Sequence, residues 1–217
     1  MFSLDIETIP NLSMVDTLPE PEVALGNTKD PEKIAVKIAD AKQKQIDSMA
    51  LNPFTGRICS VAFAGKHHGY HTVDEVSDAA EIDLLNKILD TFVVNQTETP
   101  HIITWNGHQF DLPFIFKRAM MLRVAVPSGC LGLAHMCKKY SRYPHTDLMM
   151  EFCGWSHTYL KLDHVAGWLL GKKKLDHDFS KFIELIETGK SSEIGVYNLV
   201  DAELTLEIYE TAAPYLF

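Results

Sequence analysis

Phe2-Ser3-Leu4-Asp5-Ile6-Glu7-Thr8-Ile9 decides how the chain is read. Apolar and polar residues alternate, so in a strand Phe2, Leu4 and Ile6 face one side while Asp5 and Glu7 face the other. In the centre of a sheet that second side is covered by a helix. Two acids there cannot stay uncompensated, because desolvating charge costs too much. A bound cation is the natural compensation. The triplet alone is uninformative, since Asp-x-Glu recurs as Asp30-Pro31-Glu32 and Asp201-Ala202-Glu203. What sets Asp5 and Glu7 apart is the strand pattern around them, and the next question is whether other segments carry carboxylates to the same place.

The 217 residues are enough to bury a substantial core as one domain, and 46% hydrophobic with 23% charged residues is ordinary for a folded protein. No signal-like segment opens the sequence, and the most apolar stretch, 119–137, is interrupted by Arg123, Pro127 and glycines, so neither export nor membrane insertion is expected. Cys59, Cys130, Cys137 and Cys153 form no C-x-x-C, which points to reduced thiols and a cytoplasmic setting; Cys130, His135 and Cys137 fit no zinc-finger spacing. A formal net charge of -9 argues against a general polyanion-binding surface. Locally the balance reverses. Lys117, Arg118, Arg123, Lys138, Lys139, Arg142, Lys161 and Lys172 to Lys174 face only Asp147, Glu151 and Asp163. This stretch is either a phosphate-binding wall or a solvated lysine-rich face.

Outward from the first strand, Asp30-Pro31-Glu32 starts a helix that carries a thin apolar stripe to Met49, inserted as a lid or a long crossover. Strands follow at 57–64 and 70–73, giving an antiparallel meander with the first. A helix over 79–94, capped by Ser77 or Asp78, leads to a strand at 101–105 by a right-handed crossover, so the sheet continues in parallel. Asn106-Gly107-His108-Gln109-Phe110-Asp111-Leu112-Pro113 then opens a helix to about residue 122, where Asp111 is also an ordinary N-cap candidate. A further edge strand is expected over 143–152 and an amphipathic helix over 158–170, ended by Gly171. The last helix spans about 193–213, and Tyr197, Val200, Leu204 and Ile208 form one stripe with Asp201 inside it. A carboxylate in a core-facing seam must be paired, hydrogen-bonded or on a metal. Asp5, Glu7, Asp111 and Asp201 are thus four hard oxygen ligands able to converge on Mg2+ or Mn2+.

These residues resemble the DEDD 3'-5' exonucleases of the ribonuclease H-like superfamily, closest to the proofreading domains of family B DNA polymerases. Asp5-Ile6-Glu7-Thr8 matches the first motif, Asn106-x-x-x-Phe110-Asp111-x-Pro113 the second, and Tyr197-x-x-x-Asp201 the third in its tyrosine form. Tyr159 to Ala166 is similar to the helix preceding the third motif. Tyr159/Asp163 repeats the Tyr-x-x-x-Asp spacing on a helix, but only Asp201 combines that spacing with a core-facing position.

The resemblance implies an α/β, ribonuclease H-like fold: a central mixed five-stranded sheet of three antiparallel strands with a parallel continuation, flanked by helices. It implies one exonuclease domain over 1–217 with a helical insertion at about 12–52. By position, Asp5, Glu7, Asp111 and Asp201 would hold two divalent metal ions, Mg2+ or Mn2+, and Tyr197 would orient the attacking water. Asn106 would contact the terminal nucleotide. Phe110 is carried over as a substrate contact, with packing beneath the site preferred; Trp105 and His108 have buried or rim positions by default. The expected reaction is hydrolysis from 3' ends of single-stranded DNA, releasing nucleoside 5'-monophosphates. An exoribonuclease and a silent nucleic-acid-binding protein are the alternatives. With the sequence ending at Phe217, a free-standing nuclease or a subunit serving a polymerase or repair partner in trans is expected.

Overall fold

The computed structural model describes residues 1–93, 100–156 and 158–216. In chain order its elements are β1 (Phe2–Pro10), α1 (Pro31–Met49), β2 (Gly56–Gly65), β3 (Gly69–Thr72), α2 (Asp78–Thr91), β4 (Ile102–Thr104), α3 (Asp111–Met121), α4 (Leu133–Met136), β5 (His145–Asp147), α5 (Leu148–Phe152), α6 (Leu162–Leu170), α7 (Phe182–Glu187) and α8 (Ser191–Leu216). The strands form one sheet in the order β3-β2-β1-β4-β5. β1 to β3 are antiparallel neighbours, while β4 pairs parallel to β1 and β5 parallel to β4. This is the α/β, ribonuclease H-like architecture expected, with β1 at its centre.

The two faces of β1 do different work, as the alternation requires. Phe2, Leu4 and Ile6 join the main core with Leu85, Ile88 and Leu89 of α2 and Leu112 and Ile115 of α3, and a β-bulge between Glu7 and Thr8 turns Ile9 to that same face against the alternation. The opposite face lies under α8. There the approach is close and made by small residues: Ala62, Ala64 and Ala202 pack together, and Ser3 Oγ donates to the Ala202 carbonyl at 2.6 Å. A Cβ at Gly195 would overlap the Tyr70 ring, so the helix can lie this near β3 only with glycine there. Farther along α8, Leu204 and Ile208 meet Ile103, Trp105, α5 and α6 in a second core.

Local chemistry explains most element ends. Asp30 caps α1 by accepting from Glu32 N, with Pro31 in the first turn, and Ser77 Oγ caps α2 by accepting from Ala80 N at 3.1 Å. α2 ends at Thr91; the expected end at Val94 lies outside the described residues. Three expectations need correction. The edge strand expected over 143–152 is only His145–Asp147, because Asp147 stops it by accepting from Met150 N at 3.2 Å and starting α5. The helix expected from 158 starts at Leu162, and the Leu160 carbonyl is taken by Trp105 Nε1 at 3.0 Å. The basic stretch is not one wall. Arg118 is buried against Glu81, Arg142 bonds Glu151, Lys172 bonds Glu207 and Lys174 turns inward to Asp201. Among the described residues no helix is long and apolar enough to cross a membrane.

Candidate functional site

Asp5 and Glu7 share the face of β1 that lies under α8, and α8 presents Asp201 to them. Single carboxylate oxygens of Asp5, Glu7 and Asp201 all lie within 4.8 Å of one another. Asp111, the first residue of α3, joins from the other side: its Oδ1 accepts from Ile6 N at 3.1 Å, the backbone group between the two strand acids. Residues 105 positions apart are thereby tied at the middle of β1.

Burial drives the electrostatics. Asp5 is raised well above the usual carboxylate range by desolvation, then by Asp111, Asp201 and Glu7. Desolvation lifts Glu7 to about 8, with Lys174 opposing and Asp201 and Asp111 adding to the rise. Asp111 is lifted to about 7 by burial against the pull of the Ile6 N–H, and Asp201 to about 6 by burial against the pull of Lys174 and the Tyr197 hydroxyl. Four acids crowd one place, and among the described residues one ammonium enters it. Lys174 Nζ pairs with Asp201 and sits 4.7 Å from the centre of the Tyr197 ring. Burial works against its charge, but Asp201 and Asp5 hold its pKa above the ordinary lysine value.

The donor set fits a hard divalent cation. All donors are carboxylate oxygens, Asp201 Oδ1 is buried without a hydrogen-bond partner among the described residues, and the acids are costly to ionise unless positive charge is added. Tyr197, one helical turn before Asp201, is buried beside it with His177 and Phe179 edge-on to its ring at 5.3 and 5.7 Å. The rival pair separates: Tyr159 is exposed, and Asp163 Oδ1 accepts from Lys174 N at 3.0 Å, anchoring the loop that delivers the lysine.

The second motif forms a bent turn after β4. Asn106 has φ 68°, its N–H donates to Asp147 Oδ1 at 3.0 Å, and its own Oδ1 is buried without a partner among the described residues. Phe110 is half-buried, with its ring 5.4 Å from Phe114 and packed against the main core. Trp105 is buried in the second core, and His108 stands at the rim.

Sequence reading passed over three residues here. Lys174 is the last of three adjacent lysines with no pattern to single it out. Asp147 ends β5 as the strand pattern expects, and its carboxylate also holds the N–H groups of Asn106 and His108 at 3.0 and 2.9 Å. Asn198, with its amide turned to satisfy both neighbours, donates to Asp5 Oδ2 at 3.0 Å and accepts from Ser60 Oγ at 3.1 Å. Its position one residue after Tyr197 was the only available signal.

Comparison with known proteins gives a consistent picture. Residues 51–212 match the family model of a predicted 3'-5' exonuclease related to the exonuclease domain of PolB. Asp5 and Glu7 precede the matched segment. DNA polymerase 1 of Sulfolobus acidocaldarius is 27% identical over 207 residues, covering 81% of this chain and 23% of that protein. DNA polymerase 1 of Saccharolobus solfataricus is 31% identical over 140 residues, covering 59% of this chain and 15% of that protein. A family B DNA polymerase structure from Pyrobaculum calidifontis superposes with a TM-score of 0.60 at 16% identity, over 98% of this chain and 24% of that one. The chain therefore spans less than a quarter of these polymerases.

Proposed function

Since the chain belongs to the predicted 3'-5' exonucleases related to the exonuclease domain of PolB, we propose that it removes nucleoside 5'-monophosphates from the 3' end of single-stranded DNA. The observation that carries this reading is the meeting of Asp5, Glu7 and Asp201, with Asp111 bonded to the strand between the first two. These four side chains would hold two divalent ions, Mg2+ or Mn2+. When bound, such a pair supplies Lewis acidity that lowers the pKa of a water and stabilises the attacking and leaving oxygens of a phosphodiester.

The remaining roles belong to the chain itself. Tyr197, held by its aromatic neighbours one turn from Asp201, orients the attacking water. Lys174 brings positive charge for the substrate phosphate into an otherwise acidic centre. Asn106, on the bent turn held by Asp147, meets the terminal nucleotide, while Phe110 serves as the floor beneath it. We take 1–217 as one exonuclease domain into which about 12–52 is inserted, in keeping with an α1 whose one buried residue is Met49. A reducing, cytoplasmic setting suits four free cysteines.

The test is oligonucleotide shortening by the purified chain in Mg2+ or Mn2+, with 5'-labelled DNA and RNA strands side by side. Chelator is expected to abolish the ladder, and Asp111→Ala to slow it by at least about a hundredfold. Persistence in either control refutes the metal assignment; shortening of RNA alone refutes the DNA assignment.

A further inference from the structure

Outside the acids, a second group of side chains gathers that the hydrolytic centre does not use. His108, from the turn after β4, meets Trp155 edge-on at 5.2 Å, and Tyr140, from the loop before β5, lies 5.2 Å from the same indole. Lys139 Nζ stands 5.0 Å from the Tyr140 ring centre. The rings are only partly taken up by packing: Trp155 rests on the edge of the second core and His108 is half-buried, while Tyr140 is 68% exposed and Lys138 and Lys139 are in solvent.

The backbone holds this corner in a costly shape. Among the described residues only four non-glycine positions have positive φ, and three of them are here: Asn106 at 68°, Tyr140 at 64° and Trp155 at 59°. Aromatic side chains rarely adopt that conformation, and such positions concentrate where a side chain must be aimed. The aim is also rigid. Trp155 N bonds the Met150 carbonyl at 2.9 Å, its Nε1 bonds Glu151 at 3.2 Å, and Asp147 grips the backbone of both Asn106 and His108. Asp147 therefore ties the aromatic corner to the turn that ends in Asp111.

We propose that His108, Tyr140 and Trp155 form a stacking platform for unpaired bases lying behind the terminal nucleotide, with Lys138 and Lys139 facing the phosphates. This rests on the exonuclease reading above and adds the surface by which the strand is held. Ring faces accept any base without reading its sequence, but only a base freed from a duplex has a face to offer. Exposed lysines beside them match a polyanion in a chain that is otherwise acidic. The platform thus selects single strands by stacking, independently of the acids.

Binding is measured without turnover, in EDTA, by fluorescence anisotropy of labelled (dT)12 and of a 12-mer of the same phosphates lacking bases. Tyr140→Ala is expected to weaken (dT)12 binding about tenfold, as loss of one stacked base contact does, and Tyr140→Phe to restore it. The abasic strand should bind more weakly than (dT)12 to the unaltered protein and equally to all three. Equal affinity of Tyr140→Ala and the unaltered chain for (dT)12, or an abasic strand that binds as tightly as (dT)12, overturns the platform. Base-dependent binding without hydrolysis in Mg2+ would instead sink the exonuclease reading and keep the platform.

Discussion

Two regions of this molecule bury acids beside basic side chains, and their balance of charge differs. On one side of the sheet Glu81 is met by Arg118 through Nε and Nη2, both at 2.7 Å, by Arg57 Nη1 at 3.4 Å and by the Ile58 N–H at 3.0 Å. Asp78, exposed at the margin of this cluster, takes Arg57 at 2.5 Å. Two acids face two guanidinium groups, and both carboxylate oxygens of Glu81 are bonded. In the other region, Asp5, Glu7, Asp111 and Asp201 face one ammonium among the described residues, and their pKa values stand high. The first cluster is closed by the protein itself and joins β2, α2 and α3. The second is left short of positive charge by the protein's own side chains, which is what a site for an added cation requires.

The widest separation between the two should appear on removing an acid from the balanced one. Glu81→Ala leaves Arg118 buried without its bidentate partner and should destabilise the fold by about 3–5 kcal/mol, read by urea denaturation. A loss below about 1 kcal/mol would mean that water reaches the arginine and that the contrast is overstated. Asp201→Asn should do the reverse, leaving stability in chelator unchanged or higher while hydrolysis of single-stranded DNA falls by at least about a hundredfold. Asp163→Asn, which keeps an oxygen for Lys174 N, should stay within about threefold of the unaltered rate. If Asp201→Asn retains full activity and Asp163→Asn loses it, the third motif has been assigned to the wrong helix.

The smallest effect sharpens the contrast through pH. Glu7 and Asp111, raised in the folded chain to about 8 and about 7 from ordinary values near 4.5 and 3.8, keep their protons where the unfolded chain has lost them. The folded state then binds more protons, so in chelator the melting temperature should fall as pH rises from about 5 to 8 and level off above. Mg2+ should flatten that fall, because metal binding requires the deprotonated acids. A melting temperature that rises over this interval in chelator would show that the four acids are not jointly desolvated.

Legibility followed range. β1 was readable because residues 2–7 carry a period of two, and the β2–β3 pairing and the parallel continuation followed from a short turn and the α2 crossover, which are local chemistry and chirality. Asp201 stood out by a conflict, an acid inside an apolar helical stripe. The errors fell where a distant partner overrides local preference. The segment 143–152 has a strand-like composition, but Asp147 closes on a turn 41 residues earlier in the chain and begins a helix. Arg118 and Lys174 read as surface charge until their buried partners Glu81 and Asp201 are in place.

The sequence by itself determined the two faces of the central strand, the alternation of strands and helices, and the places of Asp5, Glu7 and Asp201, because each is written in short periodic patterns that water and backbone geometry enforce, while Asp111 stood out by the motif around it. Only the tertiary structure decided which charges cancel and which are left in excess. Cancellation depends on distances between groups far apart along the chain: Lys174 meets Asp201, Asn198 meets Asp5 and Asp111 meets Ile6 only after α3 and α8 have closed over β1.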